Sequence, residues 1–156
     1  MSQHELTTEI IINASAETVW KILMDFKKFP EWNPFIRRIS GEAKVGATLE
    51  VFIQPSGGSG MTFTPVVLAA DPSQEFRWLG KLWIKGLFDG EHQFKLQPLG
   101  DGKVRLIHAE KFSGVLVSLL KKMLDTDSRR GFTEMNAALK QLAEQKQTEL
   151  GTQSAR

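Results

Sequence analysis

Six segments with the residue pattern of β-strands follow one another between positions 36 and 112, and no helical segment separates them. A parallel connection needs a crossover of a dozen or more residues, usually a helix, and the connections here are shorter. The sequence therefore predicts an antiparallel sheet. Its predicted strands cover positions 36–41, 48–54, 61–70, 75–79, 90–99 and 103–112.

The two ends of the chain add a further strand and a cover for this sheet. Positions 6–13 alternate as a strand, and Ser15 is suited to cap the first of two short helices that follow. After the last strand the chain becomes helical, with an apolar stripe that includes Leu120 and Phe132. An apolar sheet face must be covered, and only this helix is large enough. We therefore expect an α+β domain in which a curved seven-stranded antiparallel sheet wraps a long C-terminal helix and leaves a ligand cavity between them.

Two features leave local details of this prediction open. Pro65 lies inside the segment 61–70, where it argues for a strand edge or a bulge. The polar run 125–128 and the nearby Gly131 would either kink the C-terminal helix or split it in two.

Composition excludes several classes of function. The 156 residues are 41% hydrophobic and 24% charged, which suits one globular domain at 1–146 and a polar, disordered tail at 147–156. A formal charge of +2 gives no strong field for nucleic acid. The chain has no cysteine, so disulfides and thiol chemistry are excluded. The start is polar and no apolar run is long enough to span a bilayer, so we expect a cytoplasmic protein without an integral membrane segment.

The turn between the last two strands places one polar pair. His92 and Glu110 both lie on the apolar, even-numbered faces of these strands. A two-residue turn would put the two apolar faces out of phase, whereas the three-residue loop 100–102 keeps them in phase. The facing pairs that follow are Leu99 with Lys103, Leu96 with Leu106, Phe94 with His108, and His92 with Glu110.

The facing pair and the nearby His108 allow several interpretations. In the first interpretation they form a hydrogen-bonded polar patch that only fixes the strand register, because buried polar groups are normally hydrogen-bonded. Alternatively, they orient the polar end of a ligand, with the Trp78 indole as a further donor. General acid–base catalysis by His92 and Glu110 is a third interpretation. A metal site from His92, His108 and Glu110 matches by ligand type alone, and we expect neither a metal nor a cofactor.

Several short motifs, in order along the chain, resemble those of one family. They are INASAETVW at 12–20, Asp25, Phe29-Pro30, Trp32-Asn33-Pro34, Trp78 with Gly80, Gly90-Glu91-His92, positions 108–114, Gly131-Phe132 and Met135-Asn136. Their order over positions 9–144 is similar to that of the START-like (Bet v 1-like) superfamily, and most similar to its polyketide cyclase/dehydrase and lipid-transport branch. The resemblance implies the helix-grip fold and a hydrophobic cavity. It implies no single reaction, since members include transporters, sensors, cyclases, hydrolases and co-chaperones.

The predicted function is the binding of a small hydrophobic or amphipathic ligand, such as a lipid, an isoprenoid or a polyketide-like aromatic. One alternative is a cyclase, dehydratase or hydrolase that uses His92 and Glu110. Another is a module for a protein partner, with a filled cavity and an exposed segment at 82–88. The oligomeric state is left open between monomer and homodimer. The expected ligand-binding residues are Trp32, Phe63, Phe76, Trp78, His92, Phe94, Leu106, His108, Glu110, Met123, Phe132 and Met135.

Overall fold

Strands come first and helices last in the computed structural model, which describes residues 2–155. The strands are β1 (Gln3–Ile12), β2 (Ile36–Ser40), β3 (Glu50–Ile53), β4 (Met61–Phe63), β5 (Val66–Asp71), β6 (Glu75–Lys81), β7 (Asp89–Gly100) and β8 (Lys103–Ser113). The α-helices are α1 (Ala16–Met24), α2 (Phe29–Trp32), α3 (Val117–Met123) and α4 (Arg129–Ser154). A 3₁₀ turn at Phe26–Lys28 joins α1 to α2, and a π-helical turn at Leu124–Ser128 joins α3 to α4.

The strands form two antiparallel sheets, which corrects the prediction of one seven-stranded sheet. The larger sheet has the order β1-β8-β7-β6-β5, and the smaller has the order β2-β3-β4. The predicted strand at 61–70 is two strands, β4 and β5, because Pro65 interrupts it. Proline has no N–H to donate to a sheet ladder, and its ring fixes φ.

A backbone bridge keeps the two sheets in contact at this break. The Val67 N–H donates to the carbonyl of Ala47, and the Leu49 N–H donates to the carbonyl of Pro65, both within 2.9 Å. The antiparallel surface therefore turns a corner rather than ending. The α+β class and the strongly curved surface around a long C-terminal helix, as in helix-grip folds, are confirmed.

The register between β7 and β8 is the predicted one over the polar pair. His92 lies opposite Glu110, and Phe94 lies opposite His108. All four side chains are on the buried face of the larger sheet, since even-numbered residues alternate inward on both strands. The alternation of apolar residues was therefore sufficient to place the pair.

The turn that produces this register differs from the predicted loop. Gly100 rather than Leu99 pairs with Lys103, so the predicted pair of Leu99 with Lys103 is wrong. Asp101 and Gly102 form a two-residue turn with φ of 54° and 69°, the left-handed values of a type I′ turn. A bulge at Leu99 adds one unpaired residue, which brings the apolar faces back into phase.

The C-terminal helical segment is continuous through the run 125–128. The π-helical turn at Leu124–Ser128 widens the helix there instead of breaking it. Beyond this turn, α4 packs against β1 and β8 and grips the larger sheet. The side chains that α4 buries are those of Phe132, Met135, Asn136, Leu139 and Ala143.

The helices after β1 close one end of the domain. The Ser15 hydroxyl accepts a hydrogen bond from the Thr18 N–H at 3.1 Å and so caps α1, as predicted. Gln147 Oε1 accepts hydrogen bonds from the Ser15 N–H and the Thr18 hydroxyl, which ties α4 to the start of α1.

Helix α4 passes through the predicted domain boundary and continues to Ser154. The division into a domain at 1–146 and a tail at 147–156 stays a prediction, and its outer ends, Met1 and Arg156, lie outside the described residues. Between residues 2 and 155, no helix combines the length and the apolar character needed to cross a membrane.

Candidate functional site

A cavity of about 240 Å³ lies where the two sheets meet α3. It borders the corner at Pro65, and the exposed residues Met61, Lys81 and Met123 mark its opening to solvent. Most of its wall is apolar. The wall residues are Phe35, Val51, Ile53, Pro55, Ser59, Met61, Phe63, Pro65, Trp78, Gly80, Lys81, Leu82, Phe88, Gly90, Glu110, Phe112, Leu120, Met123, Leu124 and Ser128.

The structure brings together four of the predicted ligand-binding residues in this wall. Phe63 and Met123 contribute apolar surface, Trp78 contributes an indole ring, and Glu110 contributes a carboxylate. Among the wall residues that the structure describes, Glu110 is the only acidic one. An apolar pocket with few polar groups is the usual form of a small-molecule site.

Five other predicted lining residues lie in the closed core instead. They are at most 2% exposed, and they belong to the core cluster of buried side chains. Phe132 of α4 stacks on His108, and Trp20 of α1 and the neighbouring Phe26 pack against Phe76, so close packing leaves no space there. The hollow is consequently displaced towards α3 and the smaller sheet. The displaced residues are Phe76, Phe94, Leu106, Phe132 and Met135.

Trp32 lies apart from this cavity, in a groove of about 420 Å³ between α1, α2 and the end of α4. Its walls carry charges of both signs, mostly on exposed side chains, which is the pattern of a solvated surface. We therefore place the candidate site at the smaller cavity. The charged residues of the groove are Lys21, Asp25, Lys28, Glu31, Lys146 and Glu149.

The predicted set of ligand-binding residues did not include several wall residues, among them Phe35, Phe88 and Leu120. Val51 and Ile53 carried a signal, because they lie on the apolar face of the predicted strand at 48–54. That alternation shows which face is buried. It does not show whether the face borders a helix or a hollow.

A chain of hydrogen bonds begins at Glu110 and leads away from the cavity. His92 Nδ1 lies 3.0 Å from Glu110 Oε2, and His92 Nε2 lies 2.7 Å from His108 Nε2. Both histidines are fully buried, whereas 16% of the Glu110 side chain is exposed. Of the three, only Glu110 reaches the cavity wall.

The chain continues to α4 and β1. His108 Nδ1 lies 2.8 Å from Asn136 Oδ1, and Asn136 Nδ2 donates to Thr8 Oγ1 at 2.9 Å. The Thr8 hydroxyl donates to the His108 carbonyl at 2.9 Å. Sequence reasoning selected neither Asn136 nor Thr8. The available signals were the position of Asn136 in a motif of the resembling family and that of Thr8 on the apolar face of β1.

Aromatic rings fix the orientation of both imidazoles. Trp78 stacks on His92 with ring centroids 4.8 Å apart, and Phe132 stacks on His108 at 4.0 Å. The planes lie within 13° and 7° of parallel, so rotation of either imidazole would break close packing. Trp78 thus contacts the polar pair through its ring face rather than as the predicted indole donor.

The second oxygen of Glu110 lies over Gly90. A Cβ atom at Gly90 would collide with Glu110 Oε1, so glycine is required for the carboxylate to occupy this position. Among residues 2–155, no side chain or backbone group donates a hydrogen bond to Oε1. Glu110 therefore has one oxygen engaged by His92 and one available at the wall of the cavity.

Burial lowers the pKa of His108 well below its ordinary value, and the neighbouring His92 lowers it further. The hydrogen bond to Asn136 opposes this shift. His108 is therefore neutral near neutral pH and carries one ring N–H.

The spacing of the two imidazoles is that of a direct hydrogen bond. Zinc–nitrogen bonds are about 2.0–2.1 Å long, so two nitrogens bound to one tetrahedral zinc ion lie roughly 3.3 Å apart. The 2.7 Å between the Nε2 atoms leaves no room for one. In the part of the chain that the structure describes, no three histidine or acidic side chains are grouped to hold a metal ion.

A family model for polyketide cyclase/dehydrase and lipid transport matches residues 3–144. The match includes both sheets, α3 and every member of the hydrogen-bond chain. The chain belongs to this family. The resemblance carried by the short motifs is thereby confirmed. No curated protein gives a significant match to the chain.

Solved structures with the same fold include two aromatase/cyclases. The Zhui enzyme from Streptomyces sp. R1128 has a TM-score of 0.74 and 15% identity, over 92% of this chain and 94% of that one. The di-domain ARO/CYC StfQ from the steffimycin biosynthetic pathway has a TM-score of 0.75 and 16% identity over 92% of this chain, which spans only 52% of StfQ. A START superfamily protein from Mycobacterium smegmatis has a TM-score of 0.67 and 22% identity, over 89% and 99%.

The connection at 82–88 has some residues in the cavity wall and others exposed to solvent. Leu82 and Phe88 line the cavity, whereas Trp83 is 79% exposed and Ile84 is 66% exposed. Trp83 has a φ of 64°, which is strained for a residue other than glycine. The exposed side chains agree with the alternative of a module for a protein partner. The open cavity beside them does not, because that alternative expects a filled cavity. That alternative stays a prediction.

Acidification is expected to destabilise this polyketide cyclase/dehydrase family member between about pH 6.5 and pH 5. In the unfolded chain His108 takes up a proton below its ordinary pKa of about 6.5, whereas burial keeps it neutral in the fold. The unfolded state then binds more protons than the folded state, so the free energy of unfolding decreases as the pH is lowered. For this one group the slope is at most about 1.4 kcal/mol per pH unit. Urea unfolding across this range measures it.

The variant His108→Gln should remove this slope, because glutamine does not titrate. Leu106→Val, on the same strand, is the matched control, since it lowers stability without removing a titrating group. A wild-type free energy of unfolding that stays constant from pH 6.5 to pH 5 would contradict the assignment of a neutral, buried His108.

Proposed function

We propose that this protein binds a small hydrophobic or amphipathic ligand, such as a lipid, an isoprenoid or a polyketide-like aromatic, in the 240 Å³ cavity. The polar end of the ligand meets Glu110. The observation that carries the proposal is the largely buried carboxylate of Glu110 on an apolar wall, with Oε1 free of hydrogen bonds from the described residues. Burial of a carboxylate costs free energy unless its oxygens are hydrogen-bonded. A buried carboxylate at a cavity wall therefore favours a ligand with a polar group that contacts it.

The comparisons support a ligand-binding function at this level of detail. The family description names polyketide cyclases, dehydrases and lipid transport, all of which concern hydrophobic small molecules. Two of the similar structures are aromatase/cyclases by name. At 15–16% identity they share the fold with this chain, and the ligand class is argued here from the cavity.

The burial of His92 and His108 changes their proposed role. Neither lines the cavity, so neither touches a ligand placed there. We assign them to holding Glu110 through the hydrogen-bond chain, with Phe63, Trp78 and Met123 in contact with the ligand.

Filling the cavity tests the proposal. Gly80 lies in the wall, and a Cβ atom there would make only ordinary contacts, the nearest at 3.7 Å from Pro65. The variant Gly80→Leu should therefore fold and occupy the cavity. We expect it to weaken binding of the fluorescent probe N-phenyl-1-naphthylamine at least tenfold.

The matched control is Gln93→Leu, which puts the same side chain on the outer face of the adjacent strand. It should bind the probe as the wild type does. Equal probe affinity in Gly80→Leu and wild type would place binding elsewhere and overturn the proposal. Native mass spectrometry of the purified wild type would show a co-purified ligand directly.

A cyclase, dehydratase or hydrolase is the second candidate function. The observation that favours it is the 3.0 Å contact between His92 and Glu110, because a carboxylate next to an imidazole at a cavity wall suits acid–base catalysis. Turnover with a bell-shaped pH dependence, lost in Glu110→Gln, would support this candidate over binding alone.

A further inference from the structure

We infer that the cavity selects ligands whose polar end donates a hydrogen bond, such as an alcohol or a phenol, and rejects carboxylate anions. The selection is made by Glu110, and the buried residues Asn136 and Thr8 act as positioning residues behind it. The inference rests on the proposed function, and it follows from the directions in which the protons of the hydrogen-bond chain must point.

The first direction is set at the end of the chain farthest from the cavity. The Thr8 hydroxyl has one proton, and the His108 carbonyl, 2.9 Å away, can only accept it. Thr8 Oγ1 must then accept from its other neighbour, which is Asn136 at 2.9 Å. The amide of Asn136 therefore presents Nδ2 to Thr8 and Oδ1 to His108.

The donor and acceptor roles of the two imidazoles follow from this orientation of Asn136. Because Asn136 Oδ1 is an acceptor 2.8 Å from His108 Nδ1, that nitrogen carries the proton. A neutral imidazole has only one N–H, so His108 Nε2 is an acceptor. His92 Nε2, 2.7 Å away, must therefore carry a proton and donate it.

The last link lies between His92 Nδ1 and Glu110 Oε2, 3.0 Å apart, and it needs one proton. If that proton is on the imidazole, Glu110 is a carboxylate. If it is on Glu110, it must sit on Oε2, where it points at His92 Nδ1. In both placements Glu110 Oε1 has no proton and can only accept a hydrogen bond.

The opposite direction of the chain would give a different site. His92 would then donate from Nδ1 to Oε2, and any proton taken up by Glu110 would have to sit on Oε1 and point into the cavity. Thr8 and Asn136 prevent this arrangement from a distance, without contact with a ligand.

An acceptor that cannot become a donor determines which ligands fit. A ligand hydroxyl can donate a hydrogen bond to Oε1. A ligand ether has no proton to donate and leaves Oε1 without a hydrogen bond, and a ligand carboxylate places a second acceptor oxygen next to Oε1, which is repulsive. Among the described wall residues Lys81 is the one basic side chain, and it is exposed at the opening and makes no ion pair with Glu110. The variant Lys81→Gln separates any attraction of anions to the opening from selection at Glu110.

Three probes of one shape test the selection at pH 7: 2-naphthol, 2-methoxynaphthalene and 2-naphthoate. In the wild type and in Lys81→Gln we expect 2-naphthol to bind at least tenfold more tightly than either of the others, a difference of about 1.4 kcal/mol. In Glu110→Met, which keeps the length of the side chain without its acceptor, 2-naphthol and 2-methoxynaphthalene should bind within twofold of each other. Equal binding of 2-naphthol and 2-naphthoate to the wild type would overturn the inference.

Nitrogen-15 NMR of the histidine rings tests the proton directions in the full chain without a ligand. We expect His108 to be protonated at Nδ1 only, and His92 to carry a proton at Nε2. Asn136→Leu removes the acceptor and should abolish the defined His108 state, whereas Met135→Leu, at the adjacent buried position, should preserve it. A wild-type His108 protonated at Nε2 would overturn the inference. Failure of all three probes to bind would instead refute the proposed function and, with it, the ligand selection.

Discussion

The variant Phe132→Ala is expected to lose about 3–5 kcal/mol of the free energy of unfolding. Phe132 is fully buried on α4, on the side of the helix that packs against the larger sheet. Its ring stacks on His108 at 4.0 Å and makes edge contacts with His92 at 5.1 Å and Phe35 at 5.6 Å. Truncation would leave a void among rings that cannot collapse into it, because both imidazoles are held by hydrogen bonds.

Urea unfolding followed by circular dichroism measures this loss. Leu119→Ala is the matched control, because Leu119 is a helical residue with a large apolar side chain that is 79% exposed, and its truncation should change stability by less than about 0.5 kcal/mol. A loss below about 1 kcal/mol for Phe132→Ala would mean that α4 does not pack on the sheet as described.

The variant His92→Ala is expected to have an effect of similar size, about 3–5 kcal/mol. It removes a fully buried ring from contact with Trp78, and it leaves both Glu110 Oε2 and His108 Nε2 without their partner. A buried polar atom left unpaired costs about 1–3 kcal/mol, and the void adds to that cost. Because domains of this kind are stable by only about 5–15 kcal/mol, the variant would lose a large fraction of its free energy of unfolding.

A second substitution at the same position separates the two contributions. His92→Phe retains ring volume but no hydrogen bonds, so it should lose less than His92→Ala and still more than about 1 kcal/mol. Gln93→Ala, at the adjacent outward position, should lose far less than either. A His92→Phe variant as stable as the wild type would show that the hydrogen-bond chain contributes nothing to the fold.

The facing pair of His92 and Glu110 could be predicted because a β-strand alternates with a period of two, so one correct turn phase places every residue of the hairpin. The turn itself was harder to predict. Asp101 and Gly102 suit a two-residue type I′ turn, and that turn is compatible with the register only because of the bulge at Leu99. The glycines of the loop 100–102 indicated a bulged hairpin, and Gly100, beside the bulge, has a φ of 83°. Local rules did not show that the bulge lies at Leu99, separate from the turn.

The break at Pro65 shows the same limit at the scale of the sheet. A proline inside a strand pattern predicts an edge or a bulge. Whether the chain then turns a corner depends on the hydrogen bonds that Val67 and Leu49 make with a distant part of the chain. That choice divided the expected single sheet into two, and it created the corner beside which the cavity lies.

The residue pattern along the chain determined which faces of the strands and helices are apolar, and therefore that a curved antiparallel sheet must be covered by the C-terminal helix. It also determined that an imidazole and a carboxylate share the inner face. Two features follow from packing between distant elements. The helix closes over Phe94 and Leu106 and leaves the space beside Glu110, and Asn136 and Thr8 complete the hydrogen-bond chain. The physical reason is that periodicity along the chain fixes the direction of each side chain, whereas the space between side chains depends on the packing of elements more than 100 residues apart.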